Sequence, residues 1–192
     1  MLRYCAGDLL AFQELYRRHS AALYRFIAWR SPRVEWVDEI MQDSWTALHF
    51  ARDRYKVEAR FRSYLYQIAR HRLLDLIAQH QLVLASDLGC DADGVAIFEH
   101  MADLADGAQE LLTPEQSVQR RQENGDLHAA IAALPSVQKE ALVLQQFNHL
   151  SVEEIAQVSE VSVETVKSRL RYAMQKLRQH FAKNLATPEE LA

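Results

Sequence analysis

Near the C-terminus, Lys167, Arg169, Arg171, Lys176, Arg178 and Lys183 recur along one helical pattern against a single early acid, Glu164. Guanidinium and ammonium groups at this spacing can neutralise phosphates and donate hydrogen bonds to base edges. The same distribution suits a solvated helix, because an acid near the start and bases toward the end complement the macrodipole. The preceding residues favour the first reading. Ser151 and Glu154 form an S-x-x-E capping box at the start of a short helix ending near Val158. A turn spans Ser159 to Ser162, and a longer helix runs from Val163 to about Lys183. This is helix-turn-helix spacing, which offers the N-terminal half of the second helix to a major groove. Candidate contacts are Ser162, Thr165, Lys167, Ser168, Arg169, Arg171 and Tyr172.

A second group lies between Arg52 and Arg62, where five bases accompany Tyr55 and Phe61 just before a helical pattern. Bases can follow a nucleic-acid backbone while an aromatic ring stacks on an unpaired base, at roughly 1–3 kcal/mol per base. A polar connection whose Tyr55 and Phe61 cap the core has the same composition. Arg54, Tyr55, Lys56, Arg60, Phe61 and Arg62 are the candidates.

Catalytic chemistry finds little support. Eight histidines occur, among them His71, His80 and His100, without an HExxH pattern, nucleophile elbow, P-loop or glycine-rich dinucleotide turn. Cys5 and Cys90 lie far apart with no metal-like spacing, so reduced thiols are expected and neither metal nor cofactor is called for.

Helices must position these groups. Only five glycines and four prolines occur in 192 residues, which disfavours a turn-rich β fold. Phe12, Leu15, Tyr16, His19, Leu23, Phe26 and Ile27 form one buried-stripe pattern that ends at Ser31-Pro32. A second helix places Val37, Ile40, Met41, Trp45 and Leu48 on one face, and a third runs from about Phe61 to His80 through Leu65, Ile68, Ala69, Leu73, Leu76 and Ile77. Helicity resumes near Pro114, with Val137, Ala141, Leu142 and Leu144 as core candidates. The reading is all-α: an N-terminal helical bundle (residues 1–81), an acidic flexible linker (82–113) and a C-terminal helix-turn-helix domain (114–192).

The net charge of −4 conceals a segregation. No Lys or Arg falls between Arg72 and Arg120, whereas nine acids do; residues 1–72 hold thirteen bases against eight acids. No stretch approaches the roughly 20 apolar residues that span a bilayer, and the N-terminus lacks a secretory pattern, so a cytoplasmic location without membrane insertion is expected.

Residues 8–80 resemble the N-terminal domain of extracytoplasmic function (ECF) sigma factors, through Ala11-Phe12-Gln13-Glu14-Leu15-Tyr16-Arg17-Arg18-His19 and Phe61-Arg62-Ser63-Tyr64-Leu65-Tyr66-Gln67-Ile68-Ala69-Arg70. Residues 127–181 resemble the C-terminal domain, through Leu134-Pro135, Leu150-Ser151-Val152-Glu153-Glu154-Ile155-Ala156 and Thr165-Val166-Lys167-Ser168-Arg169-Leu170. The resemblance implies a promoter-specificity factor for RNA polymerase, not an enzyme. It implies that the helix from Trp36 to Trp45 grips the clamp of the largest polymerase subunit, with Asp38, Glu39, Gln42 and Asp43 supplying polar and acidic contacts. Arg54 to Arg62 would capture a flipped base of the melted −10 element, and the C-terminal domain would read the −35 duplex and touch the polymerase flap. In similar proteins the linker threads the active-site cleft and RNA exit path. Control by an anti-sigma factor, by a Ser/Thr kinase or by expression is left open.

Three departures stand out. Trp36 occupies a position where the family usually has an acid, so polymerase affinity could depend on activation; relatives poor in these acids can be activated by phosphorylation, and Ser44 and Thr46 lie on the same helix. Glu160 replaces a common glycine in the turn and must accept a positive φ or alter the turn. Tyr172-Ala173-Met174 stands where many relatives carry further arginines. The alternative is a helix-turn-helix regulator that binds duplex DNA without acting as a sigma factor, although no α/β receiver pattern precedes the motif.

Overall fold

The computed structural model describes residues 1–55, 60–84 and 124–185. Asp8 starts the first long helix, its carboxylate accepting from the amides of Leu10 and Ala11, two donors that a helix start leaves unpaired. A short α1 (Leu2–Cys5), which no periodicity announces, lies before it. Tyr4 of α1 is buried, packs on Phe12 and bonds to His49, so four residues are held by one anchor. The long helix, α2 (Leu9–Arg30), ends where Ser31 turns extended ahead of Pro32.

α3 (Glu35–Ala51) and α4 (Phe61–Leu84) complete the N-terminal bundle. Leu23, Phe26, Ile27, Val37, Ile40, Trp45, Leu48, Leu65, Ala69 and Leu73 form its interior. The expected α3 face is buried, because helical spacing at three and four residues brings all its members to one side. Tyr16 departs from expectation at 48% exposed: its ring lies over Trp45 at the rim of a groove and not under the bundle.

The C-terminal part comprises α5 (124–132), α6 (Ser136–Gln146), α7 (Val152–Ser159) and α8 (Val163–Leu185). No strand occurs among the described residues. Ala141, Leu142 and Leu144 are buried as expected, but Val137 is 42% exposed because it lies on the outer side of the first turn of α6. The acidic segment 85–123 and Lys56 lie outside the described residues.

The two helical units do not stand apart. One apolar cluster runs from Leu23 and Leu65 through to Leu144, Leu150, Ile155, Val158 and Val166, joining both. A smaller one, with Ala130, Ile131, Leu134, Leu142, Ala173 and Leu177, lies in the C-terminal unit, and Trp29 of α2 packs against it.

Candidate nucleic-acid and polymerase surfaces

The helix-turn-helix is built from local bonds. Ser151 Oγ accepts from the amide of Glu154 at 3.2 Å, and the Glu154 carboxylate accepts from the amide of Ser151 at 2.8 Å, completing the capping box. Ser151→Ala removes one half of this reciprocal pair and is expected to cost about 1 kcal/mol, read as a lower denaturant midpoint. Glu160 does adopt the left-handed conformation, φ 56° and ψ 43°, which costs about 1–3 kcal/mol for a non-glycine residue. Ser162 then opens α8, its hydroxyl accepting from the amide of Thr165 and pairing with the Thr165 hydroxyl at 2.9 Å.

On α8, Val166, Leu170, Ala173 and Leu177 face the interior. Helical geometry therefore turns Lys167 and Arg171 outward, and both are exposed. Lys167 pairs with Glu164 at 2.9 Å, while the Arg171 guanidinium lies 5.1 Å from the ring of Tyr172, itself 48% exposed. Ser168 is half-buried beside them. Arg169 is not part of this group: it is half-buried and close enough to Arg30 for the two positive charges to oppose each other. Of the expected contacts, Arg169 is thus the one turned toward the N-terminal unit.

On α3, Asp38, Glu39, Gln42 and Asp43 are placed away from the buried face formed by Val37, Ile40, Met41 and Trp45. Asp38 and Gln42 border a groove of about 500 Å³ whose walls include Tyr16, Trp45, Thr46 and Phe50. Trp36 is buried, its ring 4.7 Å from His80 and its face under the Arg33 guanidinium. The position at which the resemblance leads one to expect an acid is here a core contact. Ser44 corrects an expectation: it is fully buried and its hydroxyl donates to the Ile40 carbonyl at 2.5 Å, so it offers nothing to a kinase. Thr46 instead lies at the wall of the groove.

Before α4, Arg54 is exposed, Tyr55 lies with its ring 5.3 Å from that of Tyr64, and Phe61 packs at 5.1 Å from His19. Tyr55 and Phe61 are thus half-buried caps on the bundle, with only part of each ring available. Burial and the neighbouring Arg62 and Arg18 charges push the His19 imidazolium below its ordinary range. Arg62 donates to the carbonyls of Asn148 and His149 and to Glu154, at 3.3, 2.9 and 3.1 Å, and Arg60 approaches Glu154 at 3.5 Å.

Further polar contacts were not legible in the sequence because they join distant segments. Glu140, 1% exposed, accepts from Arg70 at 2.8 Å and from Ser159, and pairs with Arg30 at 3.2 Å. The Asn148 side-chain amide donates to the Ala22 carbonyl and to the Tyr66 hydroxyl; burial pushes that phenol up to about 12. Glu160 accepts from Gln67 at 2.9 Å and lies 3.1 Å from His71.

His128 stacks flat on Trp29 across the same junction, ring centres 4.7 Å apart, and burial pushes its pKa down to about 4. A depressed imidazole is neutral in the packed form, so its contribution is complete above the ordinary value of 6.5 and is lost as pH falls toward 4. The thermal midpoint should fall between pH 7 and pH 5, and His128→Gln should flatten that slope.

Residues 15–83 match the family described as Sigma-70 region 2, and residues 124–177 match Sigma-70, region 4. The chain is 30% identical over 176 residues to the RNA polymerase sigma factor CnrH of Cupriavidus metallidurans, covering 90% of this chain and 87% of that one. It is 28% identical over 172 residues to the ECF RNA polymerase sigma factor SigM of Mycobacterium tuberculosis, covering 90% and 78%. Among solved structures, the fold is similar to the sigma factor RpoE of Bartonella quintana, crystallised with the anti-sigma factor NepR (TM-score 0.70, 19% identity, 92% and 99% covered). It is also similar to CnrH in complex with the cytosolic domain of CnrY (TM-score 0.66, 20% identity, 95% and 94% covered). With both sigma regions matched in order on a two-part helical fold, the chain belongs to the sigma-70 family of RNA polymerase sigma factors, in its ECF class.

Proposed function

We propose that this chain binds core RNA polymerase through Asp38, Glu39, Gln42 and Asp43, reads the −35 duplex through the outer face of α8, and holds the melted −10 strand with Arg54, Tyr55, Lys56, Arg60, Phe61 and Arg62. The observation that carries the reading is the pairing of two opposed polar faces: acids and amide on α3, bases on α8, each backed by a buried apolar face. An acidic face fits a basic polymerase helix, and a basic recognition helix fits DNA. Beyond the end of α4 at Leu84, the rest of the 82–113 segment acts as the acidic tether between the domains, suited to a basic channel meant for RNA. The anti-sigma factor NepR accompanies the similar RpoE structure, and a partner of that kind is the natural restraint here.

Because Trp36 withdraws one acid from the α3 face, phosphorylation of Thr46 would restore about −1.5 to −2 charge beside Gln42. Full activity of the unmodified chain would remove the need for that step. Run-off transcription from genomic fragments with purified core polymerase, with and without the chain, tests the function: new specific transcripts support it, and duplex binding without polymerase recruitment points to a regulator instead. Substituting Lys56, Arg60 and Phe61 together should impair promoter opening more than polymerase binding.

A further inference from the structure

Residues 1–8 do more than close one end of the bundle. A four-residue helix does not hold itself together in water, and α1 lies before residue 15, where the match to Sigma-70 region 2 begins. It is nevertheless fixed on two sides. Gly7 reverses the chain at φ 96°, a conformation that favours glycine, and Asp8 joins α1 to α2 by accepting from Arg3 at 2.7 Å and from the amides of Leu10 and Ala11. On the other side α1 meets the end of α3, where a single 3-10 turn, Arg52–Arg54, leads into the candidate strand-binding segment.

That turn closes with a bond from the Tyr55 amide to the Arg52 carbonyl, at 3.3 Å just beyond the usual range for such a bond. Arg52 is held from α1 at both its ends. The Cys5 thiol donates to the same carbonyl at 3.2 Å. The Arg52 guanidinium lies 2.8 Å from Nε2 of His49, whose other ring nitrogen, Nδ1, is bonded to the Tyr4 hydroxyl. A guanidinium only donates, so Nε2 accepts, and in the neutral ring Nδ1 then donates to the Tyr4 oxygen. Tyr4 is 2% exposed with its ring 5.0 Å from Phe12, so packing holds the far end of this relay in place. Directly after the turn, the Tyr55 ring lies on Tyr64. Burial first and the neighbouring Cys5 second push both phenols up, which places Cys5 beside the two rings as well.

We propose that α1 is a positioning brace for the segment that receives the −10 strand: through Tyr4, His49 and Cys5 it fixes Arg52, and so sets where Arg54 and Tyr55 leave the bundle. The brace rests on the reading of residues 54–62 as the −10 surface. Tyr4, Cys5 and His49 touch no DNA in this role and act through Arg52. A segment that starts from a fixed point has less ordering to do when it binds, and one rotamer-rich side chain left free weakens binding by roughly 2- to 10-fold. The two bonds from α1 span 45 and 47 residues, so no local motif announces them.

The test uses the full chain bound to core polymerase, on a promoter recovered by run-off transcription, with 2-aminopurine in the −10 non-template strand reporting the opening of the duplex. Core affinity is measured beside it. Tyr4→Phe keeps the ring against Phe12 and removes the hydroxyl, and Cys5→Ala removes the thiol. Both should lower the extent of opening roughly 2- to 10-fold while core affinity stays within about twofold of wild type. Cys5→Ser keeps a donor for the Arg52 carbonyl and should open the promoter as wild type does. Arg54→Ala combined with Tyr55→Ala is the control for the −10 surface. If that control impairs opening while Tyr4→Phe and Cys5→Ala open the promoter fully, the brace is overturned and the −10 reading stands. If the control leaves opening unchanged, the −10 reading fails and the brace falls with it. Loss of opening and of core affinity in equal measure in the α1 variants, or a Cys5→Ser variant as impaired as Cys5→Ala, also overturns the brace.

Discussion

On the proposed reading of α8, Lys167→Ala combined with Arg171→Ala is expected to lower affinity for −35 duplex DNA by roughly 25- to 20,000-fold, since each well-placed base contact discriminates by about 5- to 150-fold. Both side chains project from the face of α8 opposite Val166, Leu170 and Ala173, so truncation removes functional atoms without opening a cavity. The partners they leave are weak: Lys167 pairs with Glu164 at the surface, where solvent screens the attraction, and Arg171 rests on the exposed Tyr172 ring. Circular dichroism and the thermal midpoint should therefore be nearly unchanged. Fluorescence anisotropy at several salt concentrations checks the result, and the slope of log K against log salt should become shallower by about one for each phosphate that is no longer neutralised. Arg169→Ala supplies the contrast. Because Arg169 is half-buried toward Arg30, its removal should relieve a like-charge opposition at the junction and change DNA affinity far less than the double variant does.

The largest effect on stability is expected from Phe26→Ala. Phe26 is fully buried and meets Tyr66 edge-on at 5.2 Å, at the place where α2 and α4 close the bundle. Truncating it removes the transfer free energy of the ring and leaves a cavity, about 3–5 kcal/mol together. That is a large share of the roughly 5–15 kcal/mol typical of a whole domain, and corresponds to a decrease of roughly 6–20 °C in thermal midpoint. Val137→Ala, at a position of similar hydrophobic promise in the sequence but 42% exposed, should change stability by no more than about 0.5 kcal/mol. Urea unfolding of both variants separates the two cases; equal destabilisation would show that Phe26 is not the keystone of the bundle.

Most helices of the fold are legible residue by residue. The stripe from Phe12 to Ile27, the α3 face and the capping box at Ser151 are written at short range, in spacings of three and four and in bonds that span three residues. The short α1 is not legible, because four residues carry no period; what holds it is Tyr4 against Phe12 and His49, the latter 45 residues away. Tyr16 and Val137 fit a core pattern and yet are exposed, because periodicity identifies a helical face but not how far the neighbouring helix extends over it. Ser44 has a place on α3 that suits modification, and only packing shows its hydroxyl turned into the helix.

By itself the sequence determined the helical class, the order of the two domains, the helix-turn-helix and the basic and acidic faces, since local propensity, caps and periodicity act within a few residues of each other. Only the tertiary structure decided that the domains close on one another, that Arg62 is engaged by the Asn148 and His149 carbonyls, and that Glu140 lies buried between Arg30 and Arg70. The partners in these bonds are 70 or more residues apart in the chain. A buried charge can be tolerated only where folding delivers an opposite charge to it. That delivery depends on how whole helices pack, which no spacing within a single helix encodes.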